Sequence, residues 1–94
     1  MAGFVYILAS KPYGTLCVGV TSNLAARIHA HREGHGSAFT KRYNVSRLVL
    51  VEEYATISEA IQRETNLKRW KRAWKIELIE KTNPIWDDPY EFVF

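Results

Sequence analysis

The chain has 94 residues, of which 47% are hydrophobic, and a net charge of +3. This length predicts one domain over residues 1–94, with enough apolar residues for a core that needs no disulfides or structural metal. The lone cysteine, Cys17, excludes an internal disulfide framework and a multi-cysteine zinc site, and it favours a reducing, cytoplasmic location. No apolar run approaches the ~20 residues that a transmembrane helix needs, so such a helix is excluded.

A β-hairpin is predicted near the beginning of the chain. Residues 4–8, which include Tyr6, are rich in the β-branched and aromatic side chains typical of a strand. Proline and glycine mark a turn at residues 11–14, and residues 15–20 form a second short strand. The connection is too short for a parallel crossover, so we expect an antiparallel hairpin.

A helix is predicted over residues 24–33. It follows N-cap candidates at residues 21–23 and stops at a glycine. Arg27 and His31 are four residues apart, so we expect them on one face of this helix. Each also has a purely structural interpretation, because Arg27 can pair with a nearby glutamate and His31 can be an exposed helix residue.

The middle of the chain combines a basic loop with an apolar strand. The composition of residues 35–44 is typical of an ordered loop, in which Lys41 and Arg42 either contact phosphates or are simply solvated. Residues 48–51 form an unbroken apolar run. Such a run predicts a central strand that is covered on both faces.

Glu64 lies where an amphipathic helix would present a hydrophobic residue. The helical pattern covers residues 57–71 and begins with a capping box at Thr56 and Glu59. The apolar positions at helical spacing around Glu64 are Ile57, Ala60, Ile61 and Leu67. A carboxylate facing a core is costly unless it is paired, hydrogen-bonded or bound to a cation.

Three side chains elsewhere in the sequence are candidates to meet this carboxylate, namely Tyr6, Arg27 and His31. A carboxylate, a cation, an imidazole and a phenol at one place suit phosphodiester chemistry with a divalent metal. The alternative is a buried Glu–Arg ion pair that only holds two helices together. Spacing alone leaves both interpretations open.

Residues 68–75 concentrate five cations around Trp70 and Trp74. A basic patch with interleaved aromatics suits a polyanion such as nucleic acid, although a solvated helix face has the same composition. We expect the tryptophans in the core, because large aromatics usually build the core of a small domain. The candidate nucleic-acid-binding residues are Lys41, Arg42, Lys68, Arg69, Lys71 and Arg72.

The C-terminal part is predicted to contain a bend, a helix and an aromatic tail. The bend falls at residues 72–73 and the helix at residues 74–81, and Asn83-Pro84 ends the helix. The tail at residues 85–94 is expected to pack back on the domain. Together the elements predict an α/β (α+β) domain with a small three-stranded, mostly antiparallel sheet flanked by helices, in the order β-β-α-β-α-α.

An ordered set of short motifs spans nearly the whole chain. Val5-Tyr6-Ile7 followed by Cys17-Val18-Gly19 resembles the paired motifs of the GIY-YIG nuclease superfamily. The further matching segments are Gly19-Val20-Thr21-Ser22-Asn23-Leu24, Phe39-Thr40-Lys41-Arg42-Tyr43, Glu59-Ala60-Ile61-Gln62-Arg63-Glu64, Leu67-Lys68-Arg69-Trp70 and Lys75-Ile76-Glu77-Leu78-Ile79. The set is similar to the short, free-standing bacterial members of that superfamily and, in type, to the nuclease domain of the excision-repair incision subunit.

The resemblance implies roles for five residues. Tyr6 matches the tyrosine of the first motif, Arg27 the helix arginine, and His31 the histidine or tyrosine one turn later. Glu64 matches the single metal-binding glutamate, and Asn83 resembles an asparagine found late in the active sites of the family.

The implied activity is endonucleolytic hydrolysis of DNA with one Mg²⁺ or Mn²⁺ held by Glu64, leaving a 5′-phosphate and a 3′-hydroxyl. Arg27 would offset charge on the phosphoryl oxygens. Tyr6 would position or deprotonate the attacking water and pass its proton to His31. We expect structure-specific or weakly specific cutting in DNA repair or processing, because so small a domain has little surface for reading a long sequence.

Cys17 departs from the family pattern, in which the second motif usually begins with tyrosine. A thiol is smaller than a phenol and a weaker hydrogen-bond donor. We expect a buried small hydrophobe here, unless a cation depresses the pKa enough to form a thiolate. The alternative function is therefore a non-catalytic nucleic-acid-binding module, and a third hypothesis is an interaction domain with a repair-protein partner or as a homodimer. DNA, and not a membrane, is the expected partner.

Overall fold

The computed structural model of the chain describes residues 2–32, 45 and 47–87. Within these residues the elements, in chain order, are β1 (Gly3–Ala9), β2 (Leu16–Thr21), α1 (Leu24–Arg32), β3 (Arg47–Tyr54), α2 (Ile57–Arg69) and α3 (Arg72–Thr82). This order confirms the predicted β-β-α-β-α-α arrangement. The helices of this part of the chain are too short or too polar to cross a membrane.

The sheet has the strand order β2-β1-β3, and both pairings are antiparallel. β1 is therefore the central strand, and residues 5–9 are all buried. The prediction that residues 48–51 form the central strand was wrong, because β3 lies at an edge and Val51 is exposed. An unbroken apolar run indicates only that both faces of a strand are buried. In a narrow sheet with helices on both sides, the first half of an edge strand is buried on both faces just as a central strand is.

The two faces of β1 contact different helices. Tyr6 and Leu8 point to one face and pack with Leu24 and Ile28 of α1. The alternating residues point to the other face, where the main core cluster is built from β1, α2, α3 and the segment after α3. The central members of that cluster are Val5, Ile7, Ala60, Leu67, Ile79 and Trp86.

α2 begins as the capping box predicts, since the Thr56 hydroxyl accepts a hydrogen bond from the Glu59 backbone N–H at 3.2 Å. The helix lies tightly against β1, because a Cβ placed on Gly3 would come within 2.7 Å of the Ala60 side chain. Ile61, expected on the buried stripe, is instead 48% exposed. The sheet beneath α2 is narrow, so only the Ala60 and Leu67 side of the helix finds apolar cover.

The break between the last two helices falls at residues 70–71, where Trp70 and Lys71 are extended, and not at residues 72–73. α3 consequently begins at Arg72 and ends at the C-cap Asn83, as the Asn83-Pro84 signal predicts. Of the predicted aromatic tail, Trp86 is fully buried while Ile85 is exposed. Residues 88–94 and the predicted loop at residues 35–44 lie outside the described residues.

An ion pair joins β3 to α2. Arg63 donates from Nε to Glu52 Oε1 at 2.9 Å and from Nη2 to Glu52 Oε2 at 3.2 Å, and the Tyr54 hydroxyl donates to Glu52 Oε1 at 2.9 Å. Burial opposes ionisation of Glu52, but the hydrogen bonds from Arg63 and Tyr54 outweigh it and hold the pKa below its ordinary value of 4.5.

This ion pair predicts a loss of stability in acid. A carboxyl whose folded pKa is depressed stabilises the fold above its unfolded pKa, and that stabilisation is lost as the pH falls through the folded pKa. We expect the free energy of unfolding in urea to fall on acidification below about pH 4.5 and to fall less steeply in Glu52→Gln. Parallel acid dependences for the two proteins would contradict this assignment.

Candidate active site

The candidate site begins with the pairing of Tyr6 and Gly19, which are opposite each other in the β1–β2 ladder. A Cβ built on Gly19 would overlap the ζ carbon and hydroxyl oxygen of Tyr6, so the phenol lies directly across the glycine. Tyr6 is only 2% exposed and has little freedom to move aside. The glycine of the Cys17-Val18-Gly19 motif therefore provides the space for the tyrosine ring.

α1 brings Arg27 to the same place. The helix is started by Asn23, whose side-chain oxygen accepts a hydrogen bond from the Ala26 backbone N–H at 3.2 Å, while Asn23 N–H donates to the Thr21 hydroxyl at 3.1 Å. These caps fix the first turn directly after β2. The Arg27 guanidinium then lies close enough to the Tyr6 hydroxyl to lower the pKa of the phenol.

Burial raises the pKa of Tyr6 above its ordinary value of 10, and Arg27 only partly offsets this effect. The nearby Cys17 and Glu64 raise the same pKa slightly further. The phenol is therefore protonated at neutral pH. It is suited to donating a hydrogen bond to a water or a phosphate oxygen rather than to accepting a proton.

Glu64 lies on α2 with its side chain 16% exposed, and its ion-pair partner is Lys68, whose Nζ is 3.4 Å from Oε2. Among the described residues Glu64 therefore forms no ion pair with Arg27, the alternative that the sequence left open. The arginine pair of α2 is made by the preceding residue, Arg63, with Glu52. Glu64 remains close enough to Tyr6 and Cys17 to influence the pKa of both.

Cys17 is half-buried between the charges of α2. Burial raises the pKa of its thiol, Lys68 partly offsets that effect, and Glu64 adds to it. The side chain is thus a neutral thiol, in agreement with its interpretation as a small hydrophobe. It packs beside the cluster formed by Tyr6 and Leu8.

A hard divalent cation fits this arrangement with Glu64 as its one protein carboxylate. Within residues 2–32, 45 and 47–87 there is no group of three or more His, Cys, Asp or Glu side chains able to enclose a metal. Mg²⁺ needs no such cage, because it keeps several waters and shares phosphate oxygens with a substrate.

Asn83 is not brought to this cluster by any contact of the described residues. Its amide nitrogen donates to the backbone oxygens of Val49 at 3.1 Å and Asp87 at 2.7 Å, and its oxygen accepts from the Asp87 N–H at 2.8 Å. These bonds close the C-terminus of α3 against β3. Asn83 thus stabilises the end of α3, and its catalytic role stays a prediction.

Three of the other predicted site residues lie partly or wholly outside the described part of the chain. His31 follows Arg27 by one turn in the α1 backbone, but its side chain is not described, and neither are Lys41 and Arg42. Lys68, the direct neighbour of Glu64, was expected only as a phosphate contact. Its i,i+4 spacing from Glu64 was the signal that could have identified the pair.

The four basic candidates at the junction of α2 and α3 make different contacts. Lys68 pairs with Glu64, and the Nη2 atom of Arg72 donates to the backbone oxygens of residues 13 and 14, both at 2.6 Å. Lys71 lies with Nζ 5.6 Å from the centre of the Trp74 ring, and Arg69 is exposed. Arg72 therefore ties the hairpin turn to α3.

The tyrosine lying over a glycine in a hairpin, followed by helix, strand and two helices, matches the arrangement expected of the GIY-YIG superfamily. The family model described as "GIY-YIG catalytic domain" matches residues 2–77, and the chain belongs to this family.

Relatives support the same assignment. UPF0213 proteins of Staphylococcus haemolyticus and Staphylococcus aureus are each 37% identical over 78 residues, which is 83% of this chain and 94% of theirs. The solution NMR structure of a UPF0213 protein from Bacillus halodurans superimposes with a TM-score of 0.59 and 26% identity, over 99% of this chain and 98% of that one. The chain is thus similar in fold and length to these short proteins.

Proposed function

We propose that the chain is a divalent-metal-dependent endonuclease that hydrolyses DNA phosphodiester bonds, with structure-specific or weak sequence preference, in DNA repair or processing. The observation that carries the proposal is that Arg27 and Glu64, from two further elements, lie close enough to Tyr6 to influence its pKa, while the Tyr6 ring lies across Gly19. A phenol, a guanidinium and a carboxylate together suit phosphoryl transfer.

The chain's own residues have complementary tasks in this reaction. Glu64 would hold Mg²⁺ or Mn²⁺, and the cation would supply Lewis-acid polarisation of the scissile phosphate. Arg27 offsets charge on the phosphoryl oxygens, and the protonated Tyr6 orients the water whose oxygen bonds to phosphorus. The bond from phosphorus to the 3′ oxygen then breaks, and the 3′ oxygen takes up a proton from solvent, leaving a 5′-phosphate and a 3′-hydroxyl. His31 remains the proposed acceptor of the water proton.

The second candidate is a non-catalytic nucleic-acid-binding module, and Cys17 is the observation that favours it. A half-buried neutral thiol cannot supply the hydrogen bonds of the tyrosine usual at this position. The nuclease is preferred because Tyr6, Arg27 and Glu64 are retained together. A homodimer or repair-protein partner stays a prediction.

Nicking of supercoiled and branched DNA in Mg²⁺ or Mn²⁺ distinguishes the two candidates. We expect wild-type protein to nick DNA and Cys17→Tyr to change the rate by less than about tenfold, since Tyr6 already supplies a phenol. An inactive wild type beside an active Cys17→Tyr would identify a disabled scaffold. Salt-sensitive DNA binding by both proteins without cleavage would favour the binding module.

Arg27→Met should lower the cleavage rate at saturating DNA by roughly 10²-fold, the usual cost of removing one donor to a developing oxyanion. Arg27→Lys should recover part of the loss, because it restores the charge but not the two-pronged geometry. Single-turnover rates of the three proteins provide the comparison. An unchanged rate in Arg27→Met would remove this residue from the proposed site.

A further inference from the structure

A groove between the end of α2 and α3 presents two indoles. It is lined by Trp70, Trp74, Glu77, Leu78 and Lys81 and has a volume of about 240 Å³. The rings of Trp70 and Trp74 meet edge to face, with centres 6.1 Å apart and planes at 85°. Such a volume is below that of drug-sized ligand sites and suits a single flat ring system.

Trp74 is not a core residue, contrary to the sequence-based expectation. It is 51% exposed, whereas Trp86 is buried to 1% exposure and packs in the main core. Burial in the core therefore does not account for Trp74. A large apolar ring exposed inside a groove, beside a second indole, is typical of a binding surface.

Trp70 is held in place from the side of α2. The Arg63 guanidinium lies 4.9 Å from the centre of the Trp70 ring, and Arg63 is itself fixed by its two hydrogen bonds to Glu52. Trp74 thus stands against a rigid neighbour. A preformed aromatic wall loses little conformational freedom when a flat ligand stacks on it.

The charge around the groove is predominantly positive. Lys71 lies over the Trp74 ring, Lys81 lines the groove, and Arg69 is exposed nearby, against the single carboxylate of Glu77. Aromatic platforms flanked by cations are how proteins hold single-stranded nucleic acid, because bases stack on the rings while the cations follow the phosphates. Bases inside a duplex offer no free face to such a platform.

We infer that the Trp70–Trp74 groove stacks an unpaired DNA base, so that the substrate class of the enzyme is DNA with a single-stranded segment. Trp70 follows Glu64 by six residues, which is about 9 Å along a helix axis. A strand bound in the groove therefore contacts the C-terminal end of the helix that carries Glu64. The inference rests on the proposed nuclease for its biological role, but binding is measured without cleavage.

The test compares Trp74→Leu with Trp74→Phe, because both side chains keep apolar cover in the groove and only phenylalanine keeps a ring. Fluorescence anisotropy in EDTA measures the affinity for a short oligo-dT strand and for a blunt duplex of equal length. We expect Trp74→Leu to weaken strand binding roughly tenfold, Trp74→Phe to recover most of it, and neither to change duplex binding more than about twofold. Ile61→Ala, which removes another exposed apolar residue, should have no effect.

Equal losses on strand and duplex, or no loss in Trp74→Leu, would overturn the inference. A wild-type dimer that Trp74→Leu converts to a monomer in sedimentation would instead assign the groove to a second copy of the chain. Cleavage is scored separately, so wild-type protein that binds strands through Trp74 but never cuts would contradict only the nuclease. Protein that cuts DNA but whose affinity for strands does not depend on Trp74 would contradict only the assignment of the groove.

Discussion

Glu64→Gln should abolish metal-dependent DNA cleavage while leaving the fold intact. Glutamine keeps the shape of the side chain but removes the charge that would hold the cation, and Glu64 is the only carboxylate of the described residues assigned to the proposed site. We expect the rate in Mg²⁺ to fall at least about 10³-fold, since no second carboxylate of the described residues is assigned to the site. Gel-based nicking of supercoiled DNA measures the loss.

The matched control for this variant is Glu59→Gln on the same helix. Its side chain accepts a hydrogen bond from the Thr56 hydroxyl, as a glutamine side chain also can, so stability and activity should both be retained. Circular dichroism and thermal unfolding of Glu64→Gln show whether the fold is intact. Cleavage by Glu64→Gln at the rate of the control would remove Glu64 from the mechanism.

Gly19→Ala should both destabilise the protein and inactivate it. The added methyl group would occupy the space of the Tyr6 ring, and that ring is buried, with the Arg27 guanidinium near its hydroxyl. Overpacking of this kind typically costs about 1–3 kcal/mol. The displaced phenol would also lose its alignment with the proposed site, so cleavage should fall together with the free energy of unfolding.

A double-mutant cycle isolates the contact between these two residues. With Tyr6→Ala in the background, the alanine at position 19 meets no ring, so Gly19→Ala should cost much less stability there than in the wild type. Equal costs in the two backgrounds, measured by urea unfolding, would mean that the methyl group is tolerated and that the glycine is not required by the tyrosine.

Local signals made most of the fold predictable from the sequence. The hairpin, the capping box at Thr56 and the Asn83-Pro84 stop depend on neighbouring residues, and all three were confirmed. The position of β3 in the sheet was not predictable in this way. It depends on which strands pair with the two edges of β1, and an apolar run contains no information on that pairing.

The proximity of some candidate residues was also predictable, while their roles stay predictions. Glu64 was identified because a carboxylate interrupts an apolar stripe, and the structure brings it near Tyr6. Its direct partner Lys68 was not foreseen, since a long exposed side chain reaches a neighbour one turn away without leaving an apolar signal. The exposure of Trp74 was also missed, because residue type alone does not say whether an indole builds the core or a surface groove.

The most direct test of the account is the chemistry of the products. A branched DNA labelled at each end is incubated with wild-type protein in Mg²⁺, in EDTA and beside Glu64→Gln. The account predicts new fragments only for wild type in Mg²⁺, with 5′-phosphate ends that a ligase can seal to a 3′-hydroxyl. No cleavage by the folded wild-type protein, or equal cleavage in EDTA or by Glu64→Gln, would contradict it.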